Sequence, residues 1–123
     1  MPFTILVVDD DPVIQKLLSV NFEMEGYRVV TASDGEEALD RVLSEAPAVV
    51  VLDVMMPMVD GIEVLRRIRA NPGMGSTPVL LLSAKAQAKD IEDGMAAGAD
   101  AYLTKPFEPL DLLDRVALLL RGT

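Results

Sequence analysis

The chain has 123 residues, with 11 basic and 20 acidic side chains, a formal charge of −9 and half of its residues apolar, which is enough for one domain with its own core. It contains neither cysteine nor histidine, so disulfide frameworks, thiolate nucleophiles, histidine general bases and His/Cys zinc sites are excluded. The start MPFTILVVDDDP lacks a basic leader and no apolar run approaches the roughly 18 residues of a membrane span; a cytoplasmic protein is expected, and the acidity disfavours direct contact with nucleic acid or an anionic membrane.

Ile5 to Val8 reads as a first strand. Asp11 before Pro12 is a cap followed by a favoured first helical residue, and Ile14, Leu17, Leu18 and Phe22 then make an apolar helix stripe that Gly26 closes. Tyr27 to Ala32 is a second strand, and Ala38, Leu39, Val42 and Leu43 mark a second helix, followed by Pro47. A third strand runs from Ala48 to Leu52, Asp60-Gly61 reads as a turn and helix start, and Asn71 to Pro78 is a loop before a fourth strand at Val79 to Leu82. The next helix carries only Ile91 and Met95 as large apolar residues and holds Gly94 inside it, at a cost of about 1 kcal/mol relative to alanine. It is expected to be the least firmly anchored. Gly98 ends it, Ala101 to Leu103 is the fifth strand, and Leu112, Leu113, Val116 and Leu120 line the last helix. Methionines read mostly as packing residues, with Met55 and Met56 open to a role at a pocket or contact surface.

Strands rich in Val, Ile and Leu without polar alternation are expected to be buried on both faces. Their alternation with helices predicts an α/β fold: a doubly wound, five-stranded parallel sheet in the order 2-1-3-4-5 with five helices. With no repeat or interdomain linker, residues 1–123 read as a single domain, and any further domain would lie outside them.

In such a sheet the reactive rim lies at the carboxyl ends of the strands. Strand one delivers Asp9 and Asp10 there, strand three Asp53, strand four Ser83 and strand five Lys105. Carboxylates about 4 Å apart repel by roughly 4 kcal/mol per pair at an effective dielectric near 20, so a cation is required. An all-oxygen site of few carboxylates suits Mg²⁺ or Mn²⁺ better than Ca²⁺. A metal beside a carboxylate and a lysine is an arrangement for phosphoryl transfer, in which positioned charge lets a weak carboxylate act as nucleophile. A carboxylate ending a buried strand must be paired, which singles out Asp10 and Asp53.

The segments ILVVDDDP, VVVLDVMMPMVDG, LLLSA and AYLTKPF resemble, in order and across Thr4 to Arg121, the CheY-like receiver domain of two-component response regulators. That resemblance implies that Asp53 is the phosphoacceptor. It implies a Mg²⁺ site formed by Asp10, Asp53 and the backbone carbonyl of Met55, with Asp9 acting through water. Lys105 would contact the phosphoryl group, Ser83 and Tyr102 would follow it as switch residues, and the Lys105-Pro106 bond would be cis. Met55 and Lys85 match positions that tune the lifetime of the phosphorylated state.

The same resemblance implies a histidine kinase or histidine phosphotransfer protein as donor. It also implies a downstream protein or an output domain outside the chain, reached through the face of helix four, strand five and helix five. Lys89, Asp100, Asp111 and Arg115 could pair charges there, but Ile91, Ala97 and Ala101 replace charges common in the winged-helix branch of the family, so a monomer or weak dimer is expected. Two other readings compete: a phosphohydrolase of the haloacid-dehalogenase kind using Asp9 and Asp11 as a DxD pair, and a pseudo-receiver interaction module that is never phosphorylated.

Overall fold

The computed structural model describes residues 2–56 and 60–121; Pro57, Met58 and Val59 of the second motif lie outside them, as do Met1, Gly122 and Thr123. Ten elements alternate along the chain: β1 Thr4–Val8, α1 Pro12–Met24, β2 Arg28–Ala32, α2 Gly35–Glu45, β3 Val49–Asp53, α3 Gly61–Ala70, β4 Val79–Ser83, α4 Ala88–Ala96, β5 Ala101–Thr104 and α5 Pro109–Arg121. The five strands form one sheet in the order β2-β1-β3-β4-β5, parallel throughout. The expected fold is the observed one.

Alternate residues of each strand feed two cores, as a period of two requires. Leu6, Val8, Val50, Leu52 and Leu81 face α2 and α3 through Ala38, Val42, Val64, Leu65 and Ile68. Ile5, Val7, Val49, Val51, Leu80 and Leu82 face α1 and α5 through Leu18, Phe22, Leu112 and Val116. At about 1.5–3 kcal/mol for each fully buried large side chain, the two layers hold the sheet rigid and bring its strand ends to a common rim.

Helix starts follow their caps. Asp11 accepts from the Val13 N–H at 2.9 Å, Asp34 from Glu37 at 2.8 Å, and Asp60 from Ile62 at 2.7 Å and Glu63 at 3.2 Å. Gln87, at the N-cap of α4, makes no side-chain capping hydrogen bond, and Gly94 is the helix's one buried residue, in keeping with its weak anchoring. Gly94 has a packing reason that periodicity does not reveal: a Cβ there would lie 2.9 Å from the Tyr102 ring and 3.0 Å from Leu81 Cδ1.

Several expectations need correction. Full burial holds for β3 and β4 but not for β2 and β5, whose residues are largely half-buried or exposed, because those strands are the sheet's edges. Leu17 and Leu43 belong to the expected stripes yet are exposed; each helix touches the sheet along a band narrower than its apolar stripe. Among the five described methionines packing is not the main role: Met56 and Met74 are buried, whereas Met24, Met55 and Met95 are exposed.

Candidate functional site

The register of the sheet builds the site. Val8 pairs with Ala32 and Leu52, so Asp9 and Asp10 leave β1 beside the last residue of β3. Asp53 pairs with Leu82, and Ser83 with Thr104, which sets Ser83 and Lys105 at the same rim. Ligand oxygens of Asp9, Asp10 and Asp53 all lie within 4.8 Å of one another.

Asp9 and Asp53 are only 2% and 3% exposed, while Asp10 is exposed. The desolvation that singled out Asp10 in the sequence therefore falls on Asp9 instead. Asp9 Oδ1 accepts from the Asp11 N–H at 2.9 Å, whereas its buried Oδ2 has no hydrogen-bond partner. The Lys105 ammonium lies 3.6 Å from that oxygen and 3.3 Å from Asp53 Oδ1, which also accepts from the Met55 N–H at 3.2 Å. The other Asp53 oxygen has no protein partner among the described residues.

Burial pushes both carboxyls above their ordinary value. For Asp9 the Asp11 N–H and Lys105 oppose the shift while Asp10 adds to it. For Asp53 the charge of Asp9 adds to desolvation, and Lys105 and the Met55 N–H oppose both. Three carboxylates and one ammonium leave two negative charges uncompensated. An orphaned buried carboxylate oxygen and an all-oxygen donor set fit a hard divalent cation, so the cluster can hold a metal ion.

Ser83 is fully buried and its hydroxyl accepts from the Lys85 N–H at 3.0 Å. The half-buried Tyr102 donates its hydroxyl to the Lys85 carbonyl at 2.8 Å, so both side chains hold one turn. The Lys105-Pro106 bond is cis. Asp11 spends its carboxylate on capping α1 rather than facing Asp9, which removes the DxD pair. Asp100 is taken up internally by Arg69 Nη2 at 2.9 Å and the Val79 N–H at 2.8 Å.

Sequence reasoning treated Gly61 only as part of a turn. A Cβ there would lie 2.3 Å from the Asp53 carbonyl oxygen and 2.8 Å from Val54 Cα, and its N–H donates to the Val54 carbonyl at 2.8 Å, so this glycine lets α3 back directly onto the Asp53 segment. A glycine behind an acidic cap was the one available signal.

Comparison with known proteins agrees with this geometry. Residues 5–117 match the response regulator receiver domain model. The chain is 50% identical over 117 residues to the alkaline phosphatase synthesis transcriptional regulatory protein PhoP of Bacillus subtilis, covering 95% of this chain and 48% of that protein. It is 46% identical over 123 residues to the response regulator MprA of Mycolicibacterium vanbaalenii, covering 100% and 52%. Chemotaxis protein CheY4 of Vibrio cholerae superposes with a TM-score of 0.91 at 33% identity, covering 97% of this chain and 99% of that one. The chain thus spans about half the length of the curated relatives it matches. With the sheet order, the acidic rim and the matched sequence in agreement, this chain belongs to the response regulator receiver domains of two-component signalling.

Proposed function

We propose that Asp53 is the phosphoacceptor of this receiver, with Mg²⁺, or Mn²⁺ in its place, bound by Asp10, Asp53 and the Met55 carbonyl and supported through water by Asp9. The observation that carries the reading is the Asp53 carboxylate, buried at the end of β3, 3.3 Å from the Lys105 ammonium and clustered with two further acids. Bound Mg²⁺ would supply charge neutralisation to the phosphoryl oxygens. The unpartnered Asp53 oxygen attacks phosphorus; the new O–P bond replaces the N–P bond of a phosphohistidine donor, whose electron pair stays on the imidazole nitrogen. Lys105 offsets charge on the transferred group.

The donor in this reading is a histidine kinase or histidine phosphotransfer protein, and the place of action is the cytoplasm; among the described residues no helix is long and apolar enough to cross a membrane. The phosphoryl group adds about −1.5 to −2 charges. Ser83 and Tyr102 then follow it, releasing the Lys85 turn that both now hold and shifting α4, β5 and α5. A cavity of about 430 Å³ bordered by Tyr102, Lys85, Ile62 and Lys89 leaves that segment room to repack. The chain acts on a downstream protein or an output domain, without contacting nucleic acid itself, as a monomer or weak dimer.

Incubation with acetyl phosphate and Mg²⁺ tests the reading. A base-labile gain of about 80 Da, one phosphoryl group, is expected on Asp53 and not on Asp53→Asn. No adduct, or an adduct elsewhere, would refute it.

A further inference from the structure

Asp10 is the one member of the acidic cluster whose carboxylate makes no hydrogen bond or ion pair among the described residues. Its place near Asp9 and Asp53 is therefore set by its backbone alone. The side chain of Gln15, one turn into α1, reaches back to that backbone. The two N–H groups of its Nε2 are shared among three acceptors, the Asp9 carbonyl at 2.5 Å, the Ala32 carbonyl at 3.1 Å and Ser33 Oγ at 3.1 Å. Backbone carbonyls only accept, so the amide nitrogen, not its oxygen, must face them. The Asp9 N–H donates to the same Ala32 carbonyl at 3.1 Å. One amide thus ties the Asp9–Asp10 peptide to the end of β2.

We propose that Gln15 is a positioning residue of the metal site: it touches neither metal nor phosphoryl group, but fixes the peptide that aims Asp10. The inference rests on reading Asp9, Asp10 and Asp53 as a Mg²⁺ site. Groups that orient the ligands of a metal typically change its affinity by about 10–100-fold when removed, and here the Asp10 carboxylate makes no hydrogen bond or ion pair of its own among the described residues.

Magnesium titration by calorimetry at neutral pH tests it with three variants. Gln15→Met keeps length and helix propensity but donates nothing. Gln15→Glu also loses the donors and adds a negative charge, which by long-range attraction alone would tighten cation binding. Ser33→Ala removes only the outermost partner. Dissociation constants raised about tenfold in both Gln15 variants, with Ser33→Ala at the wild-type value, are expected. Wild-type or tighter affinity in either Gln15 variant overturns the proposal, and so does equal weakening in Ser33→Ala, which would mean general loosening. A wild-type protein that takes up no Mg²⁺ sinks the metal reading itself, a result distinct from wild-type binding with unchanged variants.

Discussion

Gly94 of α4 faces the ring of Tyr102 so closely that a Cβ at position 94 would fall 2.9 Å from Cδ2 and 3.0 Å from Cε2. The glycine weakens α4 by about 1 kcal/mol relative to alanine, yet it lets α4 pack directly on the aromatic side chain that ties β5 to the Lys85 turn. Gly94→Ala should therefore lower stability by about 1 kcal/mol, overpacking at roughly 1–3 kcal/mol exceeding the helical gain. In a Tyr102→Ala background the same substitution should be neutral or stabilising. Urea denaturation of the four proteins in the double-mutant cycle reads this coupling. Equal effects in the two backgrounds would show that the ring does not constrain α4.

Gly61 bears on the other side of the pocket. Because its missing side chain would meet backbone atoms, the Asp53 carbonyl at 2.3 Å and Val54 Cα at 2.8 Å, no rotamer change relieves the clash. Gly61→Ala is expected to cost at least about 3 kcal/mol, the upper end of overpacking, and to slow acetyl phosphate labelling of Asp53 by displacing β3 from α3. A variant with wild-type melting and labelling would contradict this.

What the sequence made legible, and what it did not, divides along a physical line. Strand ends carrying Asp53 and Ser83 were readable because each follows a run too apolar to be anything but interior, Lys105 because it follows the short apolar run of the edge strand β5, and the caps Asp11 and Asp60 because they act within two or three residues. Which of the adjacent acids Asp9 and Asp10 is buried was not. Alternation places them on opposite sides, but what covers Asp9 is Lys105, nearly a hundred residues away. Gly61 and Gln15 escaped notice because they work on backbone atoms of distant segments, and neither a bare glycine nor a glutamine advertises chemistry. Leu17 and Leu43 were misplaced because a stripe of apolar residues shows only which side of a helix can be buried, not how much of it the sheet covers.

Charge within the pocket makes stability depend on pH and metal together. The carboxyls of Asp9 and Asp53 are raised above 3.8 by burial, so they bind protons more tightly folded than unfolded. The stability they contribute is full below that ordinary value and is lost as pH climbs through the raised one. Metal-free protein should therefore be weakened by these two groups at neutral pH, and Asp9→Asn should resist urea better than wild type there. The difference should shrink toward about pH 4. Excess Mg²⁺ should raise the wild-type midpoint more than that of the variant, through binding to the folded state. Midpoints that differ equally at both ends of this pH range, or a variant less stable in chelator at pH 7, would count against the electrostatic account.

Lys105 stands between the same two carboxylates, and its removal separates stability from chemistry. Lys105→Gln leaves a polar group within reach of Asp53 but no cation, so the pair of acids repels more strongly, while transferred phosphoryl charge loses its protein counterpart. Loss of one preorganised group opposing transition-state charge is worth about 10²–10³ in rate. Labelling by acetyl phosphate at saturating Mg²⁺ should slow by about a hundredfold with the fold retained. A rate within a factor of about three of wild type would show that Lys105 only neutralises the resting acids.

Under the proposed function, an apolar stripe on α1 offers a donor protein a contact surface. Val13, Leu17, Val20 and Met24 follow one another at intervals of four, three and four along α1 and are 71%, 46%, 41% and 79% exposed. This apolar stripe starts three residues after Asp10, at the mouth of the pocket, and fits a partner that contributes its own helix. Small phosphodonors have no need of it. Leu17→Glu, at an exposed site where substitutions change stability by about 0.5 kcal/mol or less, should leave acetyl phosphate labelling unchanged. It should weaken transfer from a histidine kinase or phosphotransfer protein at least about tenfold, the equivalent of 1.4 kcal/mol of binding. Both reactions can be followed on the same preparation, and an equal loss in the two would mean that the substitution disturbs the Asp10 loop instead of a docking face.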